Sequence, residues 1–204
     1  PLLIPVMTGA VILISLLTTS GTPYPVYFEA TRFIHFIVGP VIVALAVPLF
    51  HQIPKLRQIW LPITVALLVG SSVAICSALL IAWLLGGSAA IMISLAGKSA
   101  TMPIAMALAG KFDGLVPLAA VAVVVTGLAG IVIARPMLDV MGIRDPAVRG
   151  FSVGLTAHAL GTARALQHDE TTGAFAALGM ALNGVATALL VPALLFLFRA
   201  KGLL

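Results

Sequence analysis

Long apolar blocks parted by short polar joints run the length of the chain. Seven can be drawn: about 2–19, 33–50, 59–85, 88–110, 115–134, 147–165 and 173–198. Several reach the ~20 residues that a helix needs to cross a bilayer. The ~10-residue alternating segments of a membrane β-barrel do not appear. The pattern predicts an all-α polytopic membrane protein with about six spanning helices. Trp60 and Trp83 bracket the 59–85 block; on a helix they lie about 35 Å apart, the spacing of two interfacial anchors.

Two blocks depart from the pattern. The first, 88–110, holds "LAGKSATMPIA" (Leu95–Ala105), in which Gly97, Lys98, Ser99 and Thr101 precede Pro103. Proline lacks an N–H and disfavours helix in the residue before it, so this block is expected to be broken or re-entrant. Irregular backbone at membrane depth persists only inside protein or beside a watery cavity, and a cavity is the expectation here. The second, 147–165, is a glycine-rich, interrupted segment that begins at Asp145-Pro146, an N-cap followed by a first-turn proline. Gly39-Pro40 and Pro48 predict a kink or break in 33–50. Two interrupted segments in corresponding places suit an inverted-repeat transporter architecture. The whole chain is expected to be one membrane domain, with 1–85 as scaffold helices and 86–204 as the substrate-binding core.

Loop charge bears on topology. Lys55 and Arg57 lie in 51–58, Arg135, Arg144 and Arg149 in 135–149, and Arg199 and Lys201 in the tail, whereas 167–172 carries Asp169 and Glu170 and no Lys or Arg. All three cationic regions share a face if 88–110 returns to the side it entered and 147–165 crosses. The positive-inside rule prefers that arrangement.

Composition agrees with a membrane protein: of 204 residues, 61% are hydrophobic and 8% charged, against roughly 25% charged in soluble domains. The net charge of +5 is scattered rather than striped, so nucleic acid is not an expected partner. Cys76 stands alone, which rules out an intramolecular disulfide. The chain opens on Pro1 without a methionine.

Candidate chemistry concentrates in the two interrupted blocks. An ionisable residue within the membrane tends to mark a substrate or ion path, and Lys98 is the sharpest instance; the alternative is a lysine snorkelling to an interface. Gly97-Lys98-Ser99 is not a phosphate loop, because Met92 stands where that motif needs glycine. In "GLTAHALGTARAL" (Gly154–Leu166), Gly150, Gly154, His158 and Gly161 share a helical face. His158 can shuttle protons or be a hydrogen-bonded core residue; Arg164 can bind a carboxylate through paired bonds or anchor an interface. Two cations, with half-helix N-termini and short side chains, suggest a small anionic metabolite. The candidate binding residues are Lys98, Ser99, Thr101, Pro103, His158, Gly161, Thr162 and Arg164, with Asn183 as inter-helix glue or a further contact. Adjacent Lys98 and Ser99 do not face each other on a helix, and no His/Asp cluster is present, so neither an enzyme nor a metal or other cofactor is expected.

These residues carry a resemblance. "VALAVPLF" (Val43–Phe50), "KSATMPIA" (Lys98–Ala105), "DPAVRG" (Asp145–Gly150), "HALGTARAL" (His158–Leu166) and "GAFAALGM" (Gly173–Met180) resemble the LrgB/CidB family of bacterial membrane proteins, related to the C-terminal half of the plastid glycolate/glycerate transporter. Gly97 stands where the family usually has proline, and Met102 where it has threonine. The resemblance implies a multi-pass protein of the bacterial inner membrane and two competing functions. One is antiholin- or holin-like regulation of murein hydrolases and autolysis with a small LrgA/CidA-type partner. The other is transport of small monocarboxylates such as glycolate, glycerate or pyruvate. Transport, proton-coupled through His158, is the preferred expectation, in a lipid bilayer and as a homo-oligomer.

Overall fold

The computed structural model describes residues 5–44, 46–200 and 202. These residues form eleven helices: α1 (Pro5–Ser20), α2 (Tyr24–Ala30), α3 (Arg32–Ala44), α4 (Ala46–His51), α5 (Ile53–Gln58), α6 (Trp60–Leu84), α7 (Ala89–Ala96), α8 (Met102–Lys111), α9 (Val116–Val140), α10 (Pro146–Leu166) and α11 (Glu170–Ala200). They fall into two compact units, Pro1–Ala46 and Val47–Leu204.

The first unit holds α1 to α3. Ser15 and Thr19 of α1 donate their hydroxyls to the Val11 and Ser15 carbonyls, each at 2.8 Å, satisfying polar groups within the helix. The helix continues through Pro40 in α3 and Pro48 in α4, so neither proline ends one.

In the second unit α6, α9 and α11, of 25, 25 and 31 residues, are long and apolar enough to cross a membrane. Of the six or so spans expected, these three are found among the described residues. The 2–19 block gives a helix of 16 residues. The two interrupted blocks fold back on themselves.

The first fold-back is α7–α8. Gly97 packs so closely on Ala105 that a Cβ would lie 3.0 Å from its Cα, and one on Gly114 would lie 3.0 Å from Ile93 Cγ2. The Leu115 N–H donates to Ser94 Oγ at 2.6 Å. Residues 93–97 therefore run antiparallel to 105–115, with the turn at 97–101. Arms of 8 and 10 residues are about 12 and 15 Å long, well short of the ~30 Å hydrocarbon layer. The expected break at Pro103 is present, with α8 starting one residue before it.

The second fold-back lies inside α10, at His158, where φ is 43° and ψ is −134°. A continuous helix would set Gly154 and Thr162 about 12 Å apart. Here a Cβ on Gly154 would fall on the Ala176 carbonyl, and the Thr162 hydroxyl donates to that same oxygen at 3.3 Å. A Cβ on Gly161 would lie 3.0 Å from the Val153 carbonyl oxygen. Residues 146–157 and 159–166 thus form two antiparallel arms. The segment is interrupted, as expected, but the expectation that 147–165 crosses is corrected: the chain returns to the end it left.

The two hairpins enter from opposite ends. One cluster gathers Ile63 of α6, Ala147, Phe151 and Leu155 of α10, and Phe175 and Leu178 of α11. Another gathers Ile75, Leu79 and Ala82 of α6, Met92, Ile93 and Ala96 of α7, Leu108 of α8, and Val191, Leu195 and Phe198 of α11. Helices α6 and α11 run parallel through both. Lys55 donates to Asp145 at 3.2 Å and lies 5.8 Å over the Phe175 ring, so the 51–58 and 141–149 loops share an end with the start of α11. Arg199, beside Phe198, lies at the other end. The expectation that the cationic tail joins those loops is therefore overturned, because α10 reverses and α11 alone covers the distance.

Local signals set the joints. Gly86 and Gly142 take φ of 75° and 70°, and the N–H groups of Gly87 and Ile143 close back on the Ala82 and Leu138 carbonyls at 2.8 and 3.0 Å, the glycine stop expected at a helix end. Asp145 caps α10 as expected, accepting from the Ala147 and Val148 amides at 2.7 and 3.1 Å. The Val148 amide, aided by Lys55 and Ala147 and opposed by partial desolvation, holds the Asp145 carboxyl below the usual carboxylate range.

Two outcomes are expected. In a Cys76→Ala background, single cysteines at Ser88 and Gly114 should react with an impermeant thiol reagent from the same side of sealed vesicles; opposite sides would remove the first hairpin. Asp145→Ala should cost about 1 kcal/mol at neutral pH, as lost caps do. Because the folded carboxyl titrates below its unfolded value near pH 4, this stability is present above that pH and fades as pH falls through the folded value. Melting curves of both forms from pH 7 to pH 3 should therefore converge at the acid end.

Candidate functional site

Where the hairpin tips approach each other, α11 places Asn183, 1% exposed. Its Nδ2 donates to the Ser99 carbonyl in the first tip at 2.8 Å and to the Leu155 carbonyl at 3.0 Å. Leu155 lies three residues before the second reversal, and the reversal frees its carbonyl from the helical ladder. The Asn183 Oδ1 accepts from Ser71 Oγ of α6 at 2.7 Å and, more loosely, from Thr187 Oγ1 at 3.4 Å. One amide thus joins α6, both hairpins and α11. This polar layer lies between the two apolar clusters along α6 and α11.

The first tip gathers Lys98, Ser99, Thr101 and Pro103. Ser99 is buried, Lys98 and Thr101 are half-buried and Pro103 is exposed. Lys98 Nζ donates to the Ser99 hydroxyl at 3.4 Å. Thr101 is the N-cap residue of α8 but makes no side-chain cap bond, so its hydroxyl is not spent on the helix end. The tip backbone is held by protein at Asn183, one of the two settings in which irregular backbone persists at membrane depth.

The second tip is centred on His158, 3% exposed. Its Nε2 lies 2.9 Å from the Val123 carbonyl of α9. A carbonyl only accepts, so Nε2 carries the hydrogen. Positive φ at a residue with a side chain costs on the order of 1–3 kcal/mol and persists only where surroundings impose it. Gly127 makes room for the ring: a Cβ there would lie 2.6 Å from His158 Cε1. Thr162 is buried and donates to the His158 carbonyl at 2.8 Å, and Gly161 packs on Val153 and Ala157.

Arg164 does not join this group. It lies six residues past His158, about 9 Å along the second arm toward its base. It is exposed, and Nη1 donates to Gln167 Oε1 at 3.3 Å. Ser71 and the Val123 and Leu155 carbonyls were not foreseen. Ser71 left a signal, as part of Gly70-Ser71-Ser72 inside an apolar block. The carbonyls left none, since every residue has one. An open apolar depression of about 450 Å³ on α9, lined by Val132, Ile133, Pro136, Met137, Val140 and Met141, offers no polar group for recognition.

The sequence profile of the LrgB-like family matches residues 1–197. An uncharacterized protein of Haemophilus influenzae is 33% identical over 188 residues, 92% of this chain and 80% of that one. The antiholin-like protein LrgB of Bacillus subtilis is 29% identical over 191 residues, covering 92% of this chain and 81% of its own. The holin-like protein CidB of Staphylococcus epidermidis is 27% identical over 198 residues, 97% of this chain and 86% of that protein. No solved structure gives a significant match.

The Asn183 node has a direct test. Asn183→Ala strands two buried carbonyls and should lower stability by more than about 2 kcal/mol, since each unsatisfied buried group costs about 1–3 kcal/mol. Asn183→Asp, which turns an oxygen toward both carbonyls, should be worse. Thermal unfolding in detergent reads both. A wild-type melting temperature in Asn183→Ala would strip the node of its structural role.

Proposed function

The chain belongs to the LrgB-like family, and on that premise we propose that it is a secondary transporter of small monocarboxylates of the glycolate, glycerate or pyruvate type. One observation carries the reading: two hairpins from opposite ends bring their tips to one buried amide. Helices broken near mid-depth are how many transporters aim helix ends at a substrate. The N-termini of α8 and of the 159–166 arm offer positive dipole ends, and Lys98 adds a full charge beside the first. In this reading Lys98 neutralises the carboxylate and Ser99 and Thr101 donate to its oxygens. Thr162 would donate only after leaving the His158 carbonyl. Pro103 and Gly161 keep the two helix starts open, and His158 carries the coupled proton. Arg164 acts from the rim.

The second reading rests on the names of relatives. Two relatives are named holin-like CidB and antiholin-like LrgB, and with the family resemblance those names support a regulator of murein hydrolase activity and autolysis that works with a small LrgA/CidA-type membrane protein. Those names say nothing of transport. In either reading the protein is multi-pass in the bacterial inner membrane.

Proteoliposomes with and without the small partner separate the two. Transport predicts uptake of labelled glycolate or pyruvate. Lys98→Ala should cut uptake roughly tenfold or more, the loss of a charged contact worth about 1.5–3 kcal/mol. Arg164→Ala should cost less. Unchanged uptake in both variants would sink the site assignment. Leakage of neutral solutes without selective uptake would favour the holin-like reading, and partner binding with neither activity would favour the regulator.

A further inference from the structure

His158 is a residue that chain reversal by itself does not call for. Glycine takes a φ of 43° without steric cost, and this segment uses glycine at 150, 154 and 161, yet the turn carries an imidazole. The first hairpin turns without such a residue: among the described residues, Asp113 and His158 are the non-glycine residues with positive φ, and neither lies in 97–101. The strained turn belongs to the second hairpin.

The imidazole sits in a slot on α9. The slot is open at Gly127, where a Cβ would lie 2.6 Å from Cε1 and 2.9 Å from Nε2. It continues at Gly130, where a Cβ would lie 2.5 Å from Ala157 Cβ. Inside it Nε2 donates to the Val123 carbonyl at 2.9 Å. Thr162 holds the carbonyl of the same residue. The second tip is thus attached to α11 through Asn183 and through the Thr162 hydroxyl on the Ala176 carbonyl, and to α9 through its own His158.

We infer that His158 is a positioning residue, a side-chain pin that seats the second hairpin's tip on α9 against the strain of its own turn. The second hairpin, and not the first, is therefore the one poised to lift when the pin is withdrawn. This holds whatever solute is carried, so the test needs no transport.

The full chain in detergent or nanodiscs, as wild type, His158→Gly and His158→Gln, is followed by hydrogen exchange over residues 153–163, with thermal unfolding alongside. In the glycine variant tip amides should exchange about tenfold faster or more, while exchange elsewhere in α9 to α11 stays at the wild-type rate. Glutamine, whose amide nitrogen can stand near the place of Nε2, should restore protection although it does not titrate. Wild-type exchange in the glycine variant would reduce the ring to filler. Earlier melting with faster exchange throughout α9 to α11 would make His158 an ordinary core residue. Failure of glutamine to restore protection would remove the hydrogen bond as the pin.

Discussion

The second unit depends on one carboxamide. Two short hairpins cannot cross a bilayer, and their turns leave backbone carbonyls without helical partners in the middle of the protein. A buried carbonyl left unpaired at that depth is costly. Asn183 meets that need from α11, donating to one carbonyl in each hairpin and accepting from Ser71 of α6. Asparagine suits the place because it carries two donors and an acceptor without charge. A charged side chain at this depth would bring a desolvation cost of its own.

Glycine lets the hairpins reach that amide. The 146–157 arm lies against α11 at Gly150, Gly154 and Gly179, where any Cβ would strike backbone. Gly127 and Gly130 of α9 make room for side chains of the second tip, the His158 ring and the Ala157 methyl. Close backbone approach of this kind is the usual substitute, inside lipid, for a hydrophobic driving force between helices. It also explains why the second fold-back forms as a compact pair of arms, since larger residues at these positions would hold the arms apart from α11.

Charge at the ends follows from the same topology. Because α10 returns to its starting end, the Lys55–Asp145 pair, the Arg149–Asp139 pair at 2.7 Å and the acidic 167–172 connection gather at one end, while Lys111 and Arg199 lie toward the other. The exposed pairs contribute little to stability. Their value is in register: Arg149 also donates to the Ile143 carbonyl at 2.8 Å, fixing how the loop leads into the second hairpin.

The sequence by itself determined the helical class, the membrane setting, the long helices α6, α9 and α11, the Asp145 cap and the break before Pro103. Each of these depends on hydrophobic length or on bonds between near neighbours. It also showed that 88–110 and 147–165 are unlike the rest. The re-entrant course of 88–110 was already expected from its glycine, polar and proline run; only the tertiary structure decided that 147–165 folds back too, that the two do so from opposite ends, and that Asn183 joins them while Arg164 lies apart. The glycines flanking His158 marked the segment as interrupted but not the place or manner of its turn, because a slot on α9 imposes the turn from outside the segment. Backbone carbonyls that become ligands for a distant amide leave no mark on residue identity. Long-range partners of that kind are settled by packing, which a linear pattern of apolar and polar positions does not encode.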